Sequence, residues 1–172
     1  CASMYHGANR LGGNSLLAAI YSGHVAANAI NTLAETKDCP NFEAYISEQE
    51  QVLEKRLQSK SRFSAVHVRH EIAKLLNDCL GITRTEEKLL EGIKSVDYYI
   101  SVSEKLIYDI DVSPYIGYSL QPMLLLARAI LTSALSRKET RGSHIREDYP
   151  QRSDEFALCS VCDYKNGEHH IS

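Results

Sequence analysis

Apolar positions recur at helical spacing along most of the chain. The run from about Asn14 to Ile30 predicts an apolar helix. Pro40 biases its predecessor away from helix, and Asn41 is placed to cap a second helix. Phe42, Tyr45, Ile46, Val52, Leu53 and Leu57 mark that helix as amphipathic to about Ser59, with Glu43, Glu48, Glu50, Glu54, Lys55 and Arg56 on its wet faces. Val66, Val68, Ile72, Leu75, Leu76 and Leu80 predict the next helix, which Gly81 can end in the left-handed conformation. Thr83-Arg84-Thr85-Glu86 fits a capping box with Glu87 in the first turn, ahead of Leu89, Leu90, Ile93, Val96, Ile100 and Leu106. Asp109 to Tyr118, with Pro114 and Gly117, reads as a connection. Pro122 falls near the first turn of a further helix carrying Met123, Leu124, Ala127, Ile130, Leu131, Ala134 and Leu135. Arg137 and Lys138 sit in its last turns, where the dipole favours cations, and Gly142 can terminate it.

From Phe156 onwards the pattern changes, and Asn166-Gly167 is a strong two-residue hairpin signal. The expected fold is mainly α. Three antiparallel helices, at about 42–60, 64–80 and 84–108, form a bundle; a helix at 120–141 packs nearby, and a short β-hairpin closes the chain.

Composition narrows the function classes. A net charge of −3 over 172 residues supports neither a nucleic-acid nor an anionic-membrane partner. The longest apolar stretch, Met123 to Ile130, is interrupted by Arg128, so a bilayer span is not expected. Residues 1–6 lack the basic and apolar regions of a signal peptide. Five scattered cysteines, at 1, 39, 79, 159 and 162, favour a reducing cytoplasm over a disulfide framework.

Several constellations could carry chemistry. In His6-Gly7-Ala8-Asn9-Arg10-Leu11-Gly12-Gly13-Asn14-Ser15-Leu16-Leu17, the glycines permit close approach and Asn14 or Ser15 can cap the helix. Helix-start amides beside the Arg10 fork suit an anion, although on spacing alone an ordinary tight turn with a capped helix and a surface arginine is the better reading. His67 and His70, at i and i+3, lack a nearby third ligand and read as surface residues. Cys159-Ser160-Val161-Cys162 with His169-His170 suggests zinc, but thiols at i and i+3 of a strand diverge, and no helix start comes after them to activate one. A structural hairpin is the better reading, with no metal site. Tyr98, Tyr99, Tyr108, Tyr115 and Tyr118 fit amphipathic packing. Arg137 to Asp154 reads as a solvated, ion-paired helix end that anchors the tail.

Three phrases carry a family resemblance. HGANRLGGNSLL at 6–17 resembles the flavin- and substrate-binding segment of the succinate dehydrogenase/fumarate reductase flavoprotein family, which includes L-aspartate oxidase. Ser136 to Pro150 resembles the family's RKESRGxHxRxDYP signature, with Thr140 where serine is usual. Gly81 to Leu89 resembles its GIxRxEExL junction. The resemblance covers the C-terminal portion of a full-length member. It implies residues 1–38 as the end of an FAD-binding domain, 39–141 as a helical C-terminal domain and 142–172 as a tail with the hairpin. It also implies FAD as cofactor, Arg10 on a substrate carboxylate, and the backbone of Ser15 and Leu16 at the flavin. His6 is a secondary candidate for the same site, and roles for Arg141 and His144 stay open.

The implied function is hydride transfer between flavin and a small dicarboxylate, fumarate or succinate. The implied partners are the remaining nucleotide-binding and capping domains and an iron–sulfur subunit. The expected location is cytoplasmic, or peripheral at the inner face of a membrane through those subunits. No GxGxxG follows a strand and no catalytic residue is assigned within this chain, so the chain alone is expected to be inactive. An L-aspartate oxidase-type flavoenzyme and a non-catalytic helical assembly module are the competing readings.

Overall fold

The computed structural model describes residues 12–33, 41–58, 64–103, 105 and 114–172. Among these are helices α1 (Asn14–Thr32), α2 (Glu43–Leu57), α3 (Ala65–Leu80), α4 (Glu86–Ser103) and α5 (Pro114–Ser136). A short 3-10 turn at Asp154–Phe156 precedes an antiparallel hairpin of β1 (Cys162–Lys165) and β2 (Glu168–Ile171). The mainly helical class and the terminal hairpin are those the pattern predicts. The chain divides into two units, one ending at Ala44 and the other running from Tyr45 to Ser172.

In the first unit the cap of α1 is Gly13, at φ 85°, and no side chain bonds the helix start. Neither Asn14 nor Ser15 is the cap, because the chain enters through a left-handed conformation that glycine adopts without steric cost. Leu16, Leu17, Ile20, Tyr21 and Ile30 all stay exposed along α1. A helix apolar on every side is ordinarily enclosed by more protein. Asn41 does act as expected, its Oδ1 accepting the Glu43 N–H at 2.8 Å.

The core of the second unit is built by α3, α4 and α5. Ser64 caps α3, its Oγ accepting the His67 N–H at 3.1 Å. Val68, Ile72 and Cys79 of α3 and Leu89 and Val96 of α4 meet Leu120, Leu124, Ala127 and Leu131 of α5. The α5 residues recur three or four apart, which places them on one face. A Cβ added at Gly92 would lie 3.0 Å from Cys79 Sγ and 3.1 Å from Leu131 Cδ2, so α4 closes tightly on both neighbours there. The three central helices are therefore α3–α5, one step later in the chain than predicted. Of α2, Leu53 packs against this core, and Gln49 accepts a 3.3 Å hydrogen bond from the Tyr118 hydroxyl.

Helix ends differ from expectation for identifiable reasons. Helix α5 starts at Pro114, so Pro114 and Gly117 lie in it and Pro122 is internal. At the first position a proline's missing N–H costs nothing. At position 122 one intrahelical bond is forfeited, and burial of Leu120 and Leu124 on either side offsets it. Helix α4 begins at Glu86, with Thr85, not Thr83, as cap: Thr85 Oγ1 accepts the Lys88 N–H at 3.4 Å. Gly81 has φ −57° and is not left-handed; it is needed because a Cβ there would lie 2.8 Å from the Asn77 carbonyl oxygen. Helix α5 stops at Ser136, leaving Arg137 and Lys138 beyond it, and Gly142 (φ 59°) instead turns the chain between Arg141 and His144. Leu106, Tyr108 and the predicted end of the α4 pattern lie outside the described residues.

Among the described residues, α5 is the helix long and apolar enough to cross a bilayer. Its buried stripe and the 2.6 Å pair of Arg128 with Asp97 make it a core helix. In the hairpin, Asn166 (φ 54°) and Gly167 (φ 85°) both take positive φ, as a type I′ turn requires.

Candidate functional site

Of the predicted binding residues, Arg10 and His6 lie outside the described residues. Ser15 and Leu16 occupy the first turn of α1, and Leu16 is 68% exposed. With Gly13 as cap and no acid in the first turn, nothing in α1 itself neutralises the partial positive charge of its start. Among the described residues, a Cβ at Gly12 or Gly13 would meet nothing within 4 Å. Among the described residues the start of α1 is thus uncapped by any side chain, in the segment whose resemblance implies a flavin contact.

The second signature folds into a charged clamp after α5, and it is buried where the pattern suggests a solvated terminus. Glu139 is fully buried and takes four donors. Arg137 Nη1 and Arg141 Nε each reach Oε1 at 2.7 Å, and Arg141 Nη2 and the Ser153 N–H reach Oε2 at 3.0 Å. The Arg141 bonds foremost, against the opposing effect of burial, pull its carboxyl down to about 2.

Arg146, also fully buried, gives its Nε and Nη2 to Asp148 at 2.8 Å each. Its Nη1 bonds the Ala134 and Leu135 carbonyls at 3.0 and 3.2 Å. These are among the last, otherwise unpaired carbonyls of α5, and a cation there also meets the negative end of the helix dipole. Thr140 keeps the hydroxyl that the position uses: Oγ1 accepts the Arg146 N–H at 2.9 Å and lies 3.0 and 3.1 Å from the Tyr149 and Arg146 carbonyls. The departure from serine is therefore conservative.

Arg137 ties down the tail. Its Nη1 also reaches the Phe156 carbonyl at 2.7 Å, and Nη2 reaches the Leu158 carbonyl at 2.6 Å and Ser160 Oγ at 3.1 Å. His144 bridges two elements, with Nε2 at 3.0 Å from the Arg137 carbonyl and Nδ1 at 2.7 Å from Arg84 Nη1. Since a carbonyl and a guanidinium fix the opposite roles, the ring carries its proton on Nε2 and accepts at Nδ1. Burial foremost, with the nearby Arg84, Arg146 and Arg137 charges, pushes its pKa down and favours this neutral form. The sequence marks Arg84 only as part of a capping box; its place in the GIxRxEExL-like phrase is the available signal. No triad or carboxylate pair with an accessible reactive centre emerges from these bonds, which all join helix ends to the tail.

The CxxC premise changes as well. Only Cys162 lies in a strand, and Cys159 precedes it in a loop; both are exposed and free. His169 pairs with Tyr164 and His170 with Asp163 across the hairpin. Among the described residues no three His, Cys, Asp or Glu side chains gather as a metal set.

A buried arginine–glutamate clamp closing a helical bundle over a hairpin tail defines a helical module. The family model described as fumarate reductase flavoprotein C-term matches residues 69–172, and the chain belongs to that family. It is 30% identical over 163 residues to the fumarate reductase flavoprotein subunit of Helicobacter pylori, covering 87% of this chain and 22% of that protein. It is 32% identical over 164 residues to the mitochondrial succinate dehydrogenase flavoprotein subunit of Oryza sativa subsp. japonica, covering 90% and 26%. A solved quinol–fumarate reductase with menaquinol molecules matches the fold at TM-score 0.80 and 24% identity, over 96% of this chain and 31% of that one. The chain spans about a quarter of the length of the relatives it matches.

Proposed function

We propose that this chain is the C-terminal part of an FAD-dependent oxidoreductase that transfers hydride between flavin and a small dicarboxylate, fumarate or succinate. Residues 1–38 would complete the FAD-binding domain, 39–141 form its helical domain and 142–172 its tail. The observation that supports this most is the uncapped start of α1, within the flavin-segment motif. Bound FAD would supply a ring that accepts or gives hydride. The backbone amides of Ser15 and Leu16 would face the negative charge that develops on the reduced ring, and the helix dipole adds to their effect. Arg10 would hold one substrate carboxylate through two parallel bonds and so fix the reacting carbon in register. The remaining flavoprotein, which would carry the nucleotide-binding and capping domains, and an iron–sulfur subunit are the partners this reading requires. Exposure of the apolar α1 side chains agrees with an enclosing domain.

The test uses the intact flavoprotein that contains this segment. Arg10→Gln should weaken dicarboxylate binding about ten- to a hundredfold, the value of a charged hydrogen-bonded contact, with flavin absorbance per protein unchanged. Loss of flavin with dicarboxylate affinity intact would reverse the assigned roles.

A further inference from the structure

Four guanidiniums gather where the turn before α4 meets the tail, and the carboxylates bonded to them serve only three. Glu139 is shared by Arg137 and Arg141, and Asp148 is held by Arg146. The charges of Asp154 and Glu86 also act on Arg141 and Arg146. Among the described residues no acid is bonded to Arg84. Its Nε is buried without a hydrogen-bond partner, its Nη2 has the Leu80 carbonyl at 3.5 Å, and its Nη1 donates to His144 Nδ1 at 2.7 Å. A neutral imidazole is therefore the close acceptor of that guanidinium.

The same ring fastens a second element, its Nε2–H donating to the Arg137 carbonyl at 3.0 Å, just past the end of α5. Beside it the Arg84 N–H bonds the Ile145 carbonyl at 2.9 Å and the Glu147 N–H bonds the Arg84 carbonyl at 3.0 Å. Ring and backbone together pin the turn before α4 to the tail. His144 also lines an open depression beside Leu126 and Ile130 of α5, which gives a proton a way in. A protonated imidazole has two donors and no acceptor. Nδ1–H would then face the Arg84 Nη1 donors, cation against cation, with the Arg137 and Arg146 charges adding to the repulsion. Arg84 would lose its close acceptor while still partly buried, which is costly.

We propose that His144 is an acid-sensitive pin: one proton on its ring drives the Arg84 side chain out of the junction and parts the turn before α4 from the tail, while the packed α3–α5 core stays folded. Burial foremost, with the three arginine charges, holds the ring below its ordinary 6.5. The pin is therefore closed above about pH 6.5 and opens as pH falls through the lowered value. It rests on the second unit alone and stands or falls apart from the flavin reading.

Amide hydrogen exchange of the 172-residue chain, read as protection factors from about pH 7.5 down to about pH 5, tests it. Protection of the Arg84 and Glu147 amides should fall at least about tenfold over this range, the value of a charged hydrogen-bonded contact, with Leu89 and Leu131 of the core unchanged. His144→Gln, which keeps an acceptor and a donor at every pH, should hold both junction amides at one level throughout. Arg84→Met should raise the His144 pKa, followed through its ring-proton NMR shifts, because the facing charge is gone. His169→Ala, at the hairpin, should leave the response of the two amides in place. Flat wild-type protection, a full pH response in folded His144→Gln, equal loss in the core, a response abolished by His169→Ala, or an unmoved His144 pKa in Arg84→Met would each overturn the proposal. If His144→Gln fails to fold, the wild-type profile and Arg84→Met still decide.

Discussion

Arg146 and Asp148 form a side-on pair with both bonds at 2.8 Å, and Asp148 Oδ2 also accepts the Glu86 N–H at 2.8 Å. One carboxylate thereby joins the tail to the start of α4, while its arginine caps the end of α5. The adjoining backbone repeats the connection, Arg84 N–H to Ile145 O at 2.9 Å and Glu147 N–H to Arg84 O at 3.0 Å.

Asp148→Ala should accordingly destabilise the chain by about 3 kcal/mol, the lower end of the range for breaking a buried pair, because the Asp148 side chain keeps 28% exposure. Removing the acid strands a guanidinium that is wholly buried and also leaves the Glu86 N–H at the start of α4 without its acceptor. Glu147→Ala next door should stay within about 0.5 kcal/mol, as an exposed site away from the clamp. Urea unfolding of both variants provides the measurement. A loss below about 1 kcal/mol for Asp148→Ala would mean that the remaining backbone bonds carry the junction.

Glu139 sets an acid limb to stability. Its folded pKa of about 2 lies below the ordinary 4.5, so the unfolded chain binds the proton more readily. The stabilisation is complete above about pH 4.5 and is lost as pH falls towards 2. Asp148, held below the usual carboxylate range first by its Arg146 bonds, acts in the same direction. Glu139→Gln should lower stability near neutrality and flatten this fall. Urea midpoints measured from about pH 7 down to pH 3 check it, and an acid limb of unchanged slope in the variant would assign the effect elsewhere.

The sequence and the structure part company where tertiary context outweighs local signals. The α3 pattern and the Asn-Gly turn are read correctly because burial periodicity and turn chemistry agree there. Pro114 and Gly117 carry loop signals, yet the residues just beyond them, Leu120 and Leu124, are in the core, and packing draws the helix back over them. Thr83 offers the match to a capping box, but the carboxylate that serves the first amide of α4 comes from Asp148, 62 residues away. Glu139 and Arg146 resemble any charged helix end in sequence. Only the fold shows that each has enough partners to be buried. The flavin-segment motif is legible from its spelling, whereas the unpaired Nε of Arg84 is a property of three dimensions: it depends on which arginines find acids.

The hairpin is held by a small polar latch whose removal should loosen it selectively. Arg128 lies between Asp97, at 2.6 Å, and His169 Nδ1, at 3.0 Å, so α4, α5 and β2 meet at one guanidinium. The Tyr164 ring lies 4.9 Å from the His169 ring and covers it from the other strand. Burial first, then the Arg128 charge, pushes the His169 pKa below its ordinary 6.5, which keeps Nδ1 available as an acceptor. Hairpin protection should therefore be full above about pH 6.5 and fall as pH drops through the lowered value, when an imidazolium would face Arg128. His169→Ala should raise amide exchange across β1 and β2 about tenfold or more and remove that pH dependence. Because the latch is partly exposed, the bundle should lose less than about 1 kcal/mol, leaving exchange at Leu89 and Leu131 unchanged. Equal acceleration in hairpin and core would instead make the latch part of the global fold, and no acceleration at all would leave the strand pairing to hold the hairpin unaided.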